Sequence, residues 1–344
     1  MKHFFLLLSL CAISCAVPPK RIAAVVTEYR HNSHADVIVI RLLLTHTLDK
    51  KGERPNLKLV SLYTDQVPES DTSRKWAKKF SVPIYKTVEE TLTLGTGKLA
   101  VDGVLLVAEH GKYPKNASGN TIYPKRRLFD AVQKVFRKRG QTVPVFVDKH
   151  LADNWADAKW LHDTARELKV PLMAGSSLPV LWRYPPVDVK RGAKLKEIVA
   201  VSYHTLDAYG YHALEMVQCL VERRVGGETG VKRVQCLSGD AVWRAMDTGM
   251  FDRKLLYAAL KRLKKSPITR QPKRPLRELV KTPDMFVIEY RDGLKAFVLT
   301  LNGAVNEWGV AWKTTAGAQK STTFWTQEAR PYMHFTYLVK GTEK

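Results

Sequence analysis

The pattern of apolar and polar positions is clearest in residues 143–177, where two short apolar runs flank an amphipathic segment. Residues 145–147 and 172–174 form the two runs, and each is long enough for a buried strand. Between them, apolar side chains recur at helical spacing, at Leu151, Trp155, Ala158, Leu161, Ala165 and Leu168. A strand, a helix and a second strand in succession predict a βαβ unit and therefore a parallel sheet.

The same alternation runs through the rest of the first half of the chain. Apolar runs predict strands at 21–26, 57–63 and 101–107. Helical patterns cover 37–48 and 129–139. Strands that alternate with helices favour an α/β fold built on a doubly wound parallel sheet.

The second half of the chain has a different pattern, in which strands predominate. A strand at 197–203 leads into a helix that extends to about residue 220, and Asp292-Gly293 is a hairpin signal between two apolar runs. The proline-rich, basic stretch 270–283 predicts an exposed connection. The further predicted strands are 231–238, 286–290, 294–301, 305–312, 324–325 and 334–339. We therefore expect an α+β domain with an open antiparallel sheet.

The first residues match an export signal. Lys2 precedes an apolar run at 4–13, and Ser14-Cys15-Ala16 forms a small-residue cleavage site, so residues 1–16 are predicted to be a signal peptide. This run is too short to span a membrane, and we expect no transmembrane span. The expected location is periplasmic or extracellular. A lipoprotein anchored through Cys15 is less favoured, because the residues before it are a poor match to such sites.

The remaining length is enough for two domains with sizeable cores. The stretch 176–186, rich in proline and aromatic residues, predicts the boundary. The expected domains are 17–180 and 181–344. The mature chain keeps two cysteines, Cys219 and Cys236, which can pair in an exported protein or remain as separate buried thiols. Their spacing does not indicate a metal site.

The chain is strongly basic. Its formal net charge is +23, and removal of the signal peptide, which carries one base, leaves +22. Such a charge favours anionic partners such as an acidic glycan, although a generally basic surface is the preferred explanation. The bases are densest at 125–139 and 254–281. No nucleic-acid-binding motif accompanies them, so no nucleic-acid partner is expected.

Polar side chains follow several predicted strands of the first half. Ligands of open α/β sheets bind at the carboxyl ends of the strands, which makes these positions site candidates. Asp148-Lys149-His150 ends one predicted strand, and Lys149 is the strongest single candidate. Glu109 and His110 end another and are pocket candidates. Asp65 follows the strand at 57–63, where it is either a ligand-binding acid or a turn residue.

Several motifs resemble the glucose–fructose oxidoreductase and inositol dehydrogenase family (Gfo/Idh/MocA). Phe146-Val147-Asp148-Lys149-His150-Leu151-Ala152 resembles the family's C-E-K-P-L-A segment, with Asp148 in place of Glu and His150 in place of Pro. The stretch 76–85 resembles A-x-x-F-G-V-P-x-Y, and 101–107 resembles the D-A-V-x-I strand. The stretch 207–220 resembles the D-x-G-x-H-x-x-D helix. These matches occur in the family's order along nearly the whole mature chain.

The resemblance implies a Rossmann-like first domain and oxidation of a carbinol in a sugar or polyol, with NAD or NADP as cofactor. Lys149, His212 and Asp207 correspond to the family's residues around the substrate carbon, although Asp207 lies five residues before His212 rather than four. Glu215 stands for the second aspartate of the motif. It shares a helix face with His212 and is expected to orient its imidazole.

The main departure from the family lies in the turn at 27–36, which contains no glycine where G-x-G-x-x-G is expected. Glycines there let the backbone approach the pyrophosphate of a dinucleotide. Thr27 and Ser33, with the helix N-terminus, are the candidates to replace them. The candidate cofactor-binding residues are Thr27, Ser33, Asp65, Glu109 and His110.

Two main hypotheses follow from the sequence. The first is an NAD(P)-dependent oxidoreductase acting on a sugar or polyol. The second is a non-catalytic or non-redox carbohydrate-binding protein that kept the fold and lost the dinucleotide site, as the glycine-free turn favours. A third is binding of acidic polymers through the basic patches, which predicts strong salt dependence. The sequence also allows the chain to form a homo-oligomer.

Overall fold

The computed structural model describes residues 18–326 and 332–343. The predicted signal peptide, residues 1–16, lies outside the described residues. Within these two ranges, no helix is both long and apolar enough to cross a membrane.

A five-stranded parallel sheet forms the first layer. Its order is β2-β1-β3-β4-β5, so the chain reverses direction along the sheet between β1 and β3. The carboxyl ends of all five strands therefore lie on one edge. The strands are β1 Lys20–Val26, β2 Leu57–Thr64, β3 Gly103–Val107, β4 Val145–Asp148 and β5 Leu172–Gly175.

Helices cover both faces of this sheet, which confirms the doubly wound α/β fold. One core joins the sheet to α1 and α2, and the other joins it to α3, α4 and α5. Burial on both faces explains why the strands are continuous apolar runs rather than alternating ones. The helices are α1 His34–Leu43, α2 Ser73–Phe80, α3 Val88–Thr93, α4 Lys125–Arg139 and α5 Trp155–Glu167.

A seven-stranded sheet forms the second domain, in the order β6-β12-β11-β7-β10-β9-β8. It is mixed rather than wholly antiparallel, because β7 and β10 pair in parallel while the other neighbours are antiparallel. The strands are β6 Trp182–Tyr184, β7 Leu195–Ser202, β8 Val231–Ser238, β9 Asp284–Tyr290, β10 Lys295–Thr300, β11 Trp308–Thr314 and β12 Gln319–Trp325.

Helices also lie on both faces of the second sheet. Helix α6 packs on one face and α7, α8 and α10 pack on the other. The prediction of an exposed connection at 270–283 is wrong in part, because Leu276 and Leu279 of α10 are buried. The helices are α6 Tyr211–Val221, α7 Asp240–Asp247, α8 Arg253–Leu260, α9 Pro267–Arg270 and α10 Leu276–Leu279.

The last helix, α11 Met333–Thr342, corrects the strand predicted at 334–339. Phe335, Leu338 and Val339 lie at the i, i+3 and i+4 positions of one helix face, and they join the core around α1 and β2. Six residues are too few to separate the two periodicities, since a short apolar run fits either. The end of the chain thus packs on the first domain, beside the edge where the strands end. The boundary at residue 180 stays a prediction.

The two cysteines do not pair. Cys219 is half-buried and Cys236 is exposed, and both thiols are free. Burial raises the pKa of Cys219 to about 12, so this thiol stays protonated. Of the two alternatives considered for the sequence, the structure has separate thiols.

Candidate functional site

A cavity of about 570 Å³ lies between the carboxyl edge of the first sheet and the second domain. Its size is typical of a small-molecule site. The first sheet contributes Glu109, Asp148 and Lys149, which follow or end β3 and β4. The second domain contributes residues near α6 and the start of β11, and α11 closes one side. Both domains therefore build the site.

A buried cluster of charges lies at the edge of the first sheet. The Glu109 carboxylate accepts hydrogen bonds from Lys125 Nζ and Lys149 Nζ, each at 3.0 Å. Burial alone would raise the pKa of Glu109, but the two ammonium groups outweigh it and hold the pKa below its usual range. Burial lowers the pKa of Lys149, but the carboxylates of Glu109 and Asp148 outweigh this effect and raise it. Lys149 is therefore a stable cation rather than a base.

Lys125 holds this cluster together, and the sequence analysis missed it. Its side chain is 1% exposed, although it begins the segment 125–139 that reads as a basic surface patch. Its Nζ atom also donates to the carbonyl oxygen of Asp148 at 3.0 Å and to that of Lys149. It thereby fixes the end of β4. Its position at the first residue of a helix, directly after Pro124, is the only signal in the sequence.

An imidazole and a carboxylate pair beside this cluster. His34 Nδ1 lies 2.5 Å from Asp148 Oδ2. His34 begins α1, whose N-terminus is capped by the Ser33 hydroxyl. A carboxylate only accepts hydrogen bonds, so Nδ1 carries a proton, and in the neutral form of the imidazole Nε2 then has a free lone pair. Sequence analysis did not select His34, because its partner lies 114 residues away.

Three further histidines line the cavity as neutral rings. Burial, followed by the charge of Lys149, lowers the pKa of His212 to about 3. Burial also lowers the pKa of His110 and of His334 to about 4 each. One ring nitrogen of each has no hydrogen-bond partner among the described residues. The predicted site residues His110 and His212 therefore offer uncharged donors or acceptors.

Aromatic rings from the second domain form the opposite wall of the cavity. Residues Leu206–Gly210 form one π-helical turn before α6, and this turn carries Tyr209. Tyr209 stacks on Trp308, with ring centroids 5.5 Å apart and planes at 17°, and Tyr203 packs against Trp308 at 5.2 Å. Single-turn π-helices occur frequently at functional sites.

The structure separates two predicted catalytic residues from this cavity. Glu215 accepts hydrogen bonds from the backbone N–H of Ser176 at 2.6 Å and from Tyr211 Oη at 2.9 Å. It makes no hydrogen bond to His212 within the described ranges and does not line the cavity. Glu215 instead connects α6 to the end of β5, where a side chain on Gly175 would clash with it. Asp207 is exposed in the π-helical turn.

The part of the same edge at the ends of β1 and β2 is where the expected dinucleotide would bind. A dinucleotide needs free N–H groups at the N-terminus of α1 for its pyrophosphate. Here Ser33 Oγ accepts from the N–H of Arg30 and of Asp36. The carboxylate of Asp36, which is 1% exposed, accepts from the N–H of Asn32 at 3.0 Å. The helix end therefore already holds an anion of its own.

The crevice between β1 and β3, where dinucleotides cross the sheet, is bridged by hydrogen bonds. Thr27 Oγ1 donates to the carbonyl oxygen of Glu109 at 2.7 Å. The amide of Gln66, just after β2, donates to the carbonyl oxygen of Lys112 and accepts from its N–H, at 2.8 and 2.9 Å. The predicted cofactor-binding residue Thr27 thus connects two strand ends.

Asp65, the candidate for the ribose hydroxyls, is also occupied. Its carboxylate accepts from Tyr63 Oη and Tyr113 Oη, both at 2.8 Å, and from Arg127 Nη2 at 2.6 Å. Burial would raise the pKa of Asp65, but these three donors outweigh it and lower the pKa. Each of the three anchor points of a dinucleotide is therefore engaged, at least in part, by groups of the chain itself, and the residues present fit this cofactor poorly.

We call residues 27–36, 65–66 and 111–113 the closed half of the edge, and the part around Glu109, Asp148 and Lys149 the open half.

No group of three or more His, Cys, Asp or Glu side chains in the described parts of the chain could hold a metal ion.

Comparison with known proteins identifies solved structures of the same fold. No family model matches the sequence, and no curated protein matches it. The crystal structure of GenD2 from gentamicin A biosynthesis in complex with NAD has a TM-score of 0.52 at 13% identity, over 95% of this chain and 85% of that chain. Apo scyllo-inositol dehydrogenase from Lactobacillus casei has a TM-score of 0.52 at 10% identity, over 94% and 86%.

A probable dehydrogenase from Thermotoga maritima has a TM-score of 0.50 at 14% identity, over 94% of this chain and 89% of that chain. These likenesses extend over both domains. They show that the chain has the two-domain fold of such dehydrogenases, a Rossmann-like parallel sheet followed by a mixed-sheet domain. At these identities the likeness concerns the fold, and function has to be argued from the site.

Proposed function

We propose that the protein binds a small polyhydroxylated molecule, a sugar or polyol, in the cavity and works without a nicotinamide dinucleotide. The observation that carries the proposal is the composition of the cavity. Tyr209 and Trp308 provide an aromatic wall, and Lys149 with the neutral imidazoles provides donors and acceptors opposite to it. An apolar surface with a few convergent polar groups suits the two faces of a sugar ring.

Two arguments support a function without the dinucleotide. The closed half occupies the positions of pyrophosphate, crevice and ribose with hydrogen bonds of the chain itself. We also propose that the protein is exported, as the signal peptide predicts. A protein that crosses the membrane unfolded has to find its ligand outside the cytoplasm.

Ligand-observed NMR and calorimetry with myo-inositol, D-glucitol, D-glucose and D-glucuronate test this proposal. We expect at least one compound to bind at a single site. Lys149→Met should weaken its binding at least tenfold, because the substituted side chain has no donor for a hydroxyl group. Lys134→Met, a change at an exposed position of α4, is the matched control and should leave affinity unchanged. Binding that is indifferent to Lys149→Met, or no binding at all, would contradict the proposal.

The second candidate function is that of an NAD(P)-dependent oxidoreductase acting on a sugar or polyol. It is favoured by Lys149 and His212, which the family resemblance selects and which line the same cavity. Absorbance at 340 nm, followed with NAD⁺ or NADP⁺ and each bound compound, tests this candidate. A lasting increase in absorbance that Lys149→Met abolishes would favour it over the non-redox proposal, which predicts no change.

Binding of an acidic glycan is a separate proposal that rests on the positive charge of the chain. It predicts an affinity that falls steeply with salt and is unaffected by Lys149→Met. Heparin chromatography of the wild type and of this variant, in a salt gradient, distinguishes it from binding in the cavity.

A further inference from the structure

We infer that His34, oriented by Asp148, is the acid–base group of the cavity, and that its substrate is the open-chain form of a sugar, a polyhydroxy aldehyde or ketone. The reaction class is proton transfer at the carbon next to the carbonyl group. This inference rests on the proposed function, because it assigns a chemistry to the same cavity. It differs from the family's redox chemistry in using neither a hydride nor a cofactor.

The geometry of His34 suits a general base. Its Nδ1–H is held by the Asp148 carboxylate at 2.5 Å, and Asp148 is itself 1% exposed. The ring is fixed edge-on between His110 and Phe335, with centroid distances of 5.1 and 5.6 Å. Nε2 makes no hydrogen bond within the described residues, and the side chain lines the cavity. A positioned imidazole with one free nitrogen can accept a proton from a substrate.

Lys149 provides the cation that stabilises the anion formed by such a proton transfer, and it directly follows Asp148, the partner of His34, in the chain. Asp148 and Lys149 are consecutive, and both lie at the end of β4. The Lys149 ammonium has three N–H groups, and within the described residues only the bond to Glu109 uses one. A carbonyl oxygen in the cavity can therefore accept a hydrogen bond from Lys149, which places positive charge where negative charge develops.

The step balances without a further reactant. His34 Nε2 takes the proton from the carbon beside the carbonyl, and the electron pair of the broken C–H bond forms a C=C bond. The carbonyl π electrons move to oxygen, where Lys149 stabilises the enediolate. The hydroxyl proton on the carbon that lost its hydrogen passes to the former carbonyl oxygen, and the imidazolium returns its proton on the same face to the former carbonyl carbon. The carbonyl group thereby moves to the neighbouring carbon, so the product is the ketose or aldose isomer of the sugar, and nothing is oxidised or reduced overall.

The other cavity histidines are less suited to this role. His110 and His212 have no carboxylate partner in the described structure, and burial lowers the pKa of each. A ring that resists protonation is a weak proton acceptor. Among the described imidazoles of the cavity, His34 alone has a carboxylate in direct hydrogen-bond contact to stabilise the cation formed in the reaction.

Solvent exchange in D₂O tests the inference. The probes are D-glucose, D-xylose, D-fructose and D-xylulose. Saturation-transfer NMR measures their binding. Proton transfer is measured by the loss of the proton signal at C2 of the aldoses or at C1 of the ketoses. We expect a bound probe to exchange with the wild type and at least 100-fold more slowly with His34→Gln, with binding retained. His31→Asn, a change at an exposed position of the same turn, is the matched control and should exchange at the wild-type rate.

Asp148→Asn tests the positioning role. Exchange should slow by at least tenfold while binding persists, because the imidazole loses the carboxylate that orients its ring. A variant that does not fold is recognised by its loss of probe binding. In that case ¹⁵N NMR of the wild type tests the positioning role, by showing which ring nitrogen of His34 carries the proton. We expect the proton on Nδ1, and a proton on Nε2 instead would overturn the inference.

The outcomes separate the inference from the proposed function. A probe that binds the wild type without exchange, or exchange that survives His34→Gln, overturns the inference and leaves the proposed function standing. Failure of every compound to bind, including the polyols, contradicts the proposed function, and the inference fails with it.

Discussion

The two halves of the carboxyl edge of the first sheet differ although they belong to the same five strands. In the closed half, polar side chains bond to one another and to backbone groups across the crevice. In the open half, the polar groups of Glu109, Asp148 and Lys149 border a cavity of about 570 Å³. The difference teaches that one sheet edge can carry two different surfaces, so the fold alone does not establish a cofactor site.

The largest effect in this comparison is expected for Lys125→Met. Glu109 would lose one of its two cationic partners in a buried position, and removal of one partner from a buried ion pair costs about 3–5 kcal/mol. Urea denaturation measures the loss. Lys134→Met on the same helix should change stability by less than about 0.5 kcal/mol. Equal stability of the two variants would show that the charge cluster does not hold the open half together.

A pH change should affect the cavity beside the open half, which His212 of α6 lines, at milder acidity than the closed half. His212 stays neutral in the folded protein down to a pKa of about 3, whereas in the unfolded chain it takes up a proton near pH 6.5. The unfolded state therefore binds the extra proton, and stability falls as the pH falls below 6.5. Between pH 7 and pH 5 the loss is about 2 kcal/mol, at 1.36 kcal/mol per unit below 6.5.

Denaturation curves of the wild type and of His212→Gln at the two pH values check this contribution. The variant should lose about 2 kcal/mol less than the wild type, because glutamine does not titrate. An identical pH dependence in both proteins would contradict the burial of a neutral His212. Asp65 in the closed half has a lowered pKa, so its stabilisation is lost as the pH falls from the ordinary pKa of an aspartic acid, about 3.9, toward the lower pKa of the folded state.

The smallest effect is expected for Tyr113→Phe in the closed half. It removes one of three donors to Asp65 and should cost about 1 kcal/mol. The same change at the exposed Tyr257 is the control. NMR titration of the Asp65 carboxyl group should show a pKa that rises in the variant. An unchanged pKa would mean that Tyr113 does not bond to Asp65 in solution.

The sequence predicted the fold more completely than the site. Apolar runs and helical periodicity located the five parallel strands, because burial on both sheet faces leaves a strong pattern. The sequence selected Lys149, Glu109 and His110, which line the cavity, because strand ends are recognisable in the sequence. His34 and Asp148 were not paired, since their contact joins the beginning of α1 to the end of β4. Lys125 was hidden in a run of bases, and only the folded chain shows that it is buried.

The glycine-free turn was the feature of the closed half that led to the hypothesis of a lost dinucleotide site. It did not show which groups of the chain engage the expected anchor points. These groups come from three separate loops, as in the bonds of Gln66 to Lys112 and of Asp65 to Tyr113. Such contacts depend on how the strands are ordered in the sheet, and the spacing of residues along the chain does not reveal them.

The most direct test of the account is a calorimetric titration of the mature chain, residues 17–344, with NAD⁺, NADH, NADP⁺ and NADPH. Denaturing mass spectrometry of the same preparation would reveal any dinucleotide that copurifies. The account predicts no saturable binding and no bound dinucleotide, because hydrogen bonds of the chain itself engage each anchor point in the closed half. Saturable binding at micromolar or lower concentrations would contradict it, and would show that the hydrogen bonds of Gln66 and Asp65 give way to the cofactor.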